Sequence, residues 1–105
     1  MERLTVSNAM NALQKSKRPY QVLGEQGSLQ VGFYKPDQVD LQQPHERDEV
    51  YVIAAGSGEF VQGDKKQKVE VGEVLLVPAG VEHRFENFTE DFAVWVFFYG
   101  PAKGN

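Results

Sequence analysis

The clearest indication of how this chain folds is the segment GEVLLVPAGVEHRFEN, residues 72–87. Its apolar run, Val74–Val77, has the length of a short strand, and Pro78-Ala79-Gly80 ends that run because proline and glycine favour turns. The residues after the turn, His83–Phe88, predict a second strand, and Phe92–Tyr99 predicts a third that pairs with it. The segment therefore predicts short antiparallel strands, with a histidine at the start of one of them.

Strands are also predicted in the part of the chain that precedes this stretch. They are expected at Tyr20–Leu23, Leu29–Tyr34, Val50–Ala54, Glu59–Gln62 and Gln67–Val71. Two glycine-containing segments, Gly24–Gly27 and Gly56-Ser57-Gly58, each predict a hairpin between neighbouring strands. About eight short strands with turns roughly every 8–12 residues are typical of a sandwich or barrel, so the predicted fold class is all-β.

One short helix is predicted near the N-terminus. Ser7 is expected to cap it, and Ala9, Met10 and Leu13 form an apolar face at helical spacing. Pro19 ends the helix because proline lacks the amide hydrogen that a helix interior needs. Since an isolated helix of this length is marginal in water, we expect it to pack on the barrel.

Length and composition indicate a single domain, residues 1–105, with an N-terminal extension (1–19), a barrel (about 20–99) and a frayed tail (100–105). The net charge of −4 disfavours nucleic acid and anionic membranes as partners, since both attract basic surfaces. The absence of cysteine excludes disulfides and thiolate chemistry. No signal peptide and no apolar run of the ~18 residues that span a membrane is found, so a cytoplasmic protein is expected.

The spacing of five residues in the opening stretch points to a known family. Five residues separate Gly72 from Pro78, and one separates Pro78 from Gly80. Two more separate Gly80 from His83, and three separate His83 from Asn87. This pattern resembles the second conserved motif of the cupin superfamily at every defined position.

An earlier segment, QPHERDEVYVIAAG, resembles the first cupin motif less completely. Glu49 and Gly56 have the separation that this motif requires, and His45 matches the second of its two histidines. Gln43 stands where the first histidine belongs, and Asp37 stands in place of the opening glycine. The departure at Gln43 implies a more open and less tightly binding site than one with three histidines.

The resemblance covers about residues 28–99 and implies a small double-stranded β-helix (cupin) barrel, often assembled as a homodimer. In such proteins the motif side chains project inward and bind a divalent metal ion. The implied metal ligands here are His45, Glu49 and His83, and Gln43 either adds a neutral oxygen donor or leaves that position to water. Two imidazoles and a carboxylate suit Zn²⁺, Fe²⁺, Mn²⁺ or Ni²⁺.

Each of these residues also has a purely structural interpretation. His45 lies among charged residues and could be a solvated loop histidine, and His83 could be a hydrogen-bonded histidine of the barrel interior. Glu49 could instead pair with Arg47 or Arg84 at the surface, where most glutamates lie. Positions 45 and 49 nevertheless have the same parity, so an unbroken strand would direct both to one face.

Aromatic residues in the predicted strands are expected to face inward. Tyr51, Phe85, Trp95, Phe97 and Tyr99 alternate with smaller residues, as core positions of a strand do. Most of them are expected in the core. Three of them, Tyr51, Phe85 and Trp95, are candidates for lining a substrate pocket beside the metal ion.

Three kinds of function remain open at this point, because a fold does not determine a function. The first is a metal-dependent enzyme that acts on a small organic substrate, as dioxygenases, isomerases or decarboxylases of the cupin superfamily do. The second is a non-catalytic module that binds or senses a small ligand, and the third is a storage or structural role. No residue stands out as a general base, so the sequence predicts no catalytic residue beyond the metal ligands.

Overall fold

A computed structural model describes residues 3–40 and 45–102 of the chain. Within these ranges one helix and eight strands follow one another, and the paired strands are antiparallel. Their bounds are α1 (Val6–Ser16), β1 (Tyr20–Gln26), β2 (Leu29–Tyr34), β3 (Asp48–Ala55), β4 (Ser57–Gln62), β5 (Lys65–Glu70), β6 (Val74–Val77), β7 (His83–Glu86) and β8 (Ala93–Tyr99). The predicted all-β fold with a short N-terminal helix is confirmed.

The strands form two sheets around a shared core. The larger sheet has the order β1-β2-β8-β3-β6, and the smaller has the order β5-β4-β7. Both sheets contribute inward side chains to one apolar cluster: Tyr51, Ile53, Val77, Val94 and Val96 from the larger sheet, Phe60, Val69 and Phe85 from the smaller, and Phe92 from the loop before β8. Burial of this cluster is the main force that holds the two sheets together.

The prediction of a hairpin at Gly56-Ser57-Gly58 was wrong. Strand β3 pairs with β6 and β8, whereas β4 pairs with β5 and β7, so the chain passes from one sheet to the other at Gly56. Gly56 has a left-handed φ of 72°, and an added Cβ would lie 2.4 Å from Thr89 Oγ1. The same correction applies to the predicted pairing of the last two strands, since β7 lies in the smaller sheet and β8 in the larger. Glycine-rich turns alone do not distinguish a hairpin from a change of sheet.

The first hairpin is real, but its turn lies later than predicted. Strand β1 continues through Gly24 to Gln26, and the turn is at Gly27 and Ser28. The register between β1 and β2 shifts between Val22 and Gly24, which indicates a β-bulge. The bulge accommodates Gly24 inside the strand, so this glycine does not end it.

The helix begins earlier than predicted. Its N-cap is Thr5, whose hydroxyl accepts a hydrogen bond from the amide of Asn8 at 3.1 Å. Ser7 therefore lies inside the first turn and is not the cap. The helix ends at Ser16, and Lys17 takes a left-handed conformation at the C-cap.

The helix covers part of the outer face of the larger sheet, opposite the shared core. Its buried residues Ala9 and Leu13 pack with Phe33 of β2 and Ala93 of β8. In residues 3–40 and 45–102, no helix has the length and apolarity needed to cross a membrane.

The expectation that Trp95, Phe97 and Tyr99 face inward was also wrong. The side chains of β8 that reach the shared core are those at the other parity, including Val94 and Val96. Tyr99 is 40% exposed, and Trp95 packs against the cluster beneath the helix. Both faces of strand β8 carry apolar residues, since the helix covers part of its outer face. The position of the larger aromatic residues therefore does not show which face of β8 lies toward the shared core.

Candidate metal centre

Three side chains from two distant segments of the chain meet between the two sheets. His45 precedes β3, Glu49 lies in β3, and His83 is the first residue of β7. The donor atoms of all three lie within 4.8 Å of one another. Glu49 Oε1 is 3.2 Å from His83 Nε2 and 3.7 Å from His45 Nε2. The structure thus brings together three of the residues that the motif spacing singled out, while Gln43 lies outside the described residues.

Backbone contacts explain how the two motif segments meet. The amide of Gly80 donates a hydrogen bond to the carbonyl of His45 at 2.7 Å. The amide of Ala79 donates to Asp48 Oδ1 at 2.9 Å. The turn before His83 is therefore attached to the segment that carries His45, which brings His83 close to Glu49.

Glu49 is the buried charge at the centre of this group. It is 1% exposed, and apart from the nearby imidazole nitrogens neither carboxylate oxygen has a hydrogen-bond partner among the residues that the structure describes. An ionised carboxylate away from water is strongly unfavourable unless a cation or hydrogen-bond donors compensate its charge. The arrangement therefore suits a positively charged group between Glu49 and the two imidazoles.

The orientation of the His83 ring is set by the backbone. Its Nδ1 lies 2.9 Å from the carbonyl of Val81, so Nδ1–H donates and Nε2 points toward Glu49. Histidines that bind metals commonly donate their other ring N–H to a carbonyl or carboxylate in this way. Nε2 is also 3.0 Å from the hydroxyl of Tyr51.

The two histidines differ in pKa. Burial lowers the pKa of His45, and the neighbouring His83 lowers it further against the opposing effect of Glu49. Burial also acts to lower the pKa of His83, but the Glu49 carboxylate and the Val81 carbonyl outweigh it, and the net pKa is raised. In the absence of a metal ion, His83 is therefore the histidine that more readily holds a proton beside Glu49.

The spacing of the donors fits a divalent metal ion. Ligand atoms about 2.1 Å from a tetrahedral or octahedral ion lie about 2.9–3.4 Å from one another. The 3.2 Å between Glu49 and His83 falls within that interval, and His45 Nε2, 3.7 Å from Glu49, would need a small movement. Two nitrogens and a carboxylate oxygen leave further coordination positions for water or substrate.

A cavity of about 330 Å³ adjoins His45 and Glu49. It is lined by Tyr20, Gln30, Tyr34, His45, Glu49, Val96 and Phe98. Its volume lies at the small end of the range for sites that bind small molecules. Sequence reasoning missed Tyr20, Gln30 and Tyr34, because only the pairing of β1, β2 and β8 places them beside β3.

The three predicted pocket residues, Tyr51, Phe85 and Trp95, lie in different surroundings. The Tyr51 hydroxyl approaches His83, as described above. Phe85 is 1% exposed and packs in the core, with its ring centroid 5.0 Å from that of Tyr51. Trp95 does not lie beside the metal-ligand candidates, because it packs edge-on against Phe33 on the opposite face of the sheet, at 4.9 Å between centroids.

Asp40 is a buried acid that sequence reasoning also missed. Its Oδ1 accepts a hydrogen bond from the Tyr34 hydroxyl at 2.7 Å, and its Oδ2 accepts one from the amide of Phe85 at 2.7 Å. It thereby connects β2 of the larger sheet to β7 of the smaller. Burial raises the pKa of Tyr34 well above its ordinary value, and the Asp40 carboxylate raises it further, so the phenol stays protonated.

Known proteins resemble this chain in sequence. A family model described as a cupin domain matches residues 31–99. An uncharacterised protein of Streptomyces coelicolor is 40% identical over 78 residues, which cover 72% of this chain and 74% of that protein.

Solved structures give the same fold. A cupin-2 domain containing protein from Shewanella frigidimarina is 22% identical and has a TM-score of 0.66, with 77% of this chain and 79% of that chain covered. The DMSP lyase DddQ from Ruegeria pomeroyi is 23% identical and has a TM-score of 0.70, with 98% of this chain and 57% of that chain covered. At these identities the likeness shows the fold alone.

Proposed function

Because this chain belongs to the cupin domain family, we propose that it is a metal-dependent enzyme that acts on a small organic molecule. His45, Glu49 and His83 would hold one divalent ion, Zn²⁺, Fe²⁺, Mn²⁺ or Ni²⁺. The molecule would occupy the adjoining cavity. Gln43 stays a predicted fourth ligand.

The buried Glu49 carboxylate supports this proposal most directly. It faces two imidazole nitrogens, and apart from them none of the described residues offers it a hydrogen bond. A divalent ion at this point would neutralise the carboxylate. The same side chain lines the cavity, so a molecule there would lie next to the coordination positions that the protein leaves open.

The protein residues around the ion would orient it and limit access of water. The Val81 carbonyl holds the His83 ring so that Nε2 faces Glu49. Val96 and Phe98 provide an apolar wall of the cavity. A divalent ion in this place supplies a Lewis acid that polarises an oxygen of the substrate.

Metal analysis of matched variants tests the site. Glu49→Gln keeps the size of the side chain but removes its charge, and Glu82→Gln makes the same change at a residue that is 77% exposed beside His83. The wild-type protein and Glu82→Gln are expected to contain near-stoichiometric metal, and Glu49→Gln at least about tenfold less. Equal metal content in all three proteins would refute the assignment.

Turnover is tested separately with the metal-loaded protein. Small hydroxy acids, diketones and sugars would be incubated with it, and their conversion and the consumption of O₂ would be measured. Conversion of one class that is lost in Glu49→Gln would support the enzyme. Binding without conversion would instead favour a ligand-binding or sensing module. The homodimer and the cytoplasmic location implied above stay predictions.

A further inference from the structure

A tyrosine that lines the cavity beside the metal-ligand candidates has a hydroxyl group without a hydrogen-bond partner among the described residues. Tyr20, the first residue of β1, lines this cavity together with His45 and Glu49. Its hydroxyl oxygen is buried, and no hydrogen bond joins it to the part of the chain that the structure describes. Buried hydroxyl groups in native proteins are nearly always hydrogen-bonded, so a partner beyond the described residues is expected.

The other two phenols near the site are already engaged. The Tyr34 hydroxyl donates to Asp40 at 2.7 Å. The Tyr51 hydroxyl lies 3.0 Å from His83 Nε2. Of these three phenols, Tyr20 is therefore the one whose hydroxyl no described residue engages.

The position of the Tyr20 ring depends on Gly32 in the neighbouring strand. A Cβ built on Gly32 would lie 2.5 Å from the Tyr20 hydroxyl oxygen, 2.6 Å from Cε1 and 2.7 Å from Cζ. The φ angle of Gly32 is not positive, so its backbone would accept any residue. Glycine at position 32 thus provides space for the ring of Tyr20. The backbone conformation at this position does not itself require glycine.

Gly32 has the same strand parity as two residues that line the cavity. Gln30 and Tyr34 are each two positions away in β2, and side chains at alternate positions share a face. The ring of Tyr20 therefore lies across the cavity face of β2, where a side chain at position 32 would otherwise stand.

We propose that the Tyr20 hydroxyl donates a hydrogen bond to an oxygen of the molecule held in the cavity, and that Gly32 sets the position of this phenol. The inference rests on the proposed function and adds a residue that selects the ligand. It favours small molecules with two oxygen atoms near each other, one directed at the metal ion and the other at Tyr20. Tyr20 is in this view a ligand-binding residue and does not hold the ion.

Binding of oxalate to the Co²⁺-loaded protein tests this inference. The visible absorption of Co²⁺ reports the binding of Co²⁺ to the protein. A further change in that absorption during titration with oxalate reports the binding of oxalate. The variants are Tyr20→Phe, which removes only the hydroxyl, and Gly32→Ala, which displaces the ring. Tyr99→Phe is the matched control, because Tyr99 is exposed and its strand position faces away from the core.

Tyr20→Phe and Gly32→Ala are expected to have an affinity for Co²⁺ within about twofold of the wild-type value. Their affinity for oxalate is expected to be about tenfold lower than that of the wild type. Tyr99→Phe is expected to match wild type in both titrations. Oxalate affinity of Tyr20→Phe equal to that of wild type would overturn the inference, as would a Co²⁺-loaded wild type that does not respond to oxalate. A wild type that binds no Co²⁺ would instead overturn the proposed function on which the inference rests.

Discussion

Glu49 Oε1 and His83 Nε2 lie 3.2 Å apart although the residues belong to different sheets. Each side chain is buried, and each is the first or second residue of its strand. The pair therefore links the two sheets next to the cavity that Glu49 lines. A metal ion bound there would hold the layers together as well as act on a ligand.

Metal binding is expected to stabilise the protein. An ion at about 100 times its dissociation constant adds about 2.7 kcal/mol of stability, which corresponds to a rise in Tm of roughly 10 °C for a chain of this size. Thermal unfolding followed by circular dichroism, with added Zn²⁺ or Mn²⁺ and then with EDTA, measures this. Glu49→Gln should show little of the rise and Glu82→Gln nearly all of it. An equal rise in both variants would place the ion elsewhere.

Acidification is expected to release the ion. Protons and the metal compete for His83 Nε2, and the pKa of His83 is raised above its ordinary 6.5 because Glu49 and Val81 outweigh the effect of burial. Metal affinity should therefore decrease as the pH falls through that raised value, by about tenfold per pH unit for each proton displaced. Zn²⁺ titrations over about pH 5–8 measure the dependence. An affinity that does not change with pH would contradict the assignment of His83 as a ligand.

Gly56→Ala is expected to destabilise the protein by about 2–4 kcal/mol, because it combines a left-handed φ with a clash. The added Cβ would approach Thr89 Oγ1 to 2.4 Å. Gly63→Ala is the matched control, since Gly63 has a similar φ of 62° but nothing within 4 Å of the added Cβ. Its expected cost is about 1 kcal/mol. Urea unfolding of both variants separates the two effects, and equal losses would show that the change of sheet at Gly56 tolerates a side chain.

Asp40→Asn is expected to cost about 1–3 kcal/mol, because it weakens two buried hydrogen bonds to a charged acceptor. Those bonds come from the Tyr34 hydroxyl and the Phe85 amide. Asp64→Asn, at an exposed turn between β4 and β5, is the control. The free energy of unfolding of both variants is measured by urea denaturation. Equal stability of the two variants would show that Asp40 does not join the sheets.

Much of the local structure could be predicted from the chain itself. The strand Val74–Val77 was placed correctly, because an apolar run between a glycine and a proline has few alternatives. The partners of the strands could not be predicted. Gly56-Ser57-Gly58 has the composition of a hairpin turn, yet the chain changes sheet there because β3 and β4 both direct apolar residues into one core.

The residues of the candidate site could also be predicted only in part. Motif spacing singled out His45, Glu49 and His83, which the structure brings within 4.8 Å of one another. The alternation of aromatic residues selected Trp95 as a pocket residue, whereas Tyr20 lines the cavity instead. Alternation along a strand shows which side chains share a face, but it does not show which face is the inner one when both are apolar.

Local patterns of polarity and turn-forming residues were enough to predict the all-β class and the short helix. The match to the two cupin motifs was enough to select the three residues whose chemistry suits a metal ion. Only the tertiary structure decided which strands are neighbours, which face of β8 looks inward and that the ring of Tyr20 occupies the space left by Gly32. The physical reason is that these features arise from burial shared between distant segments, and such contacts exist only once the two sheets have closed on each other.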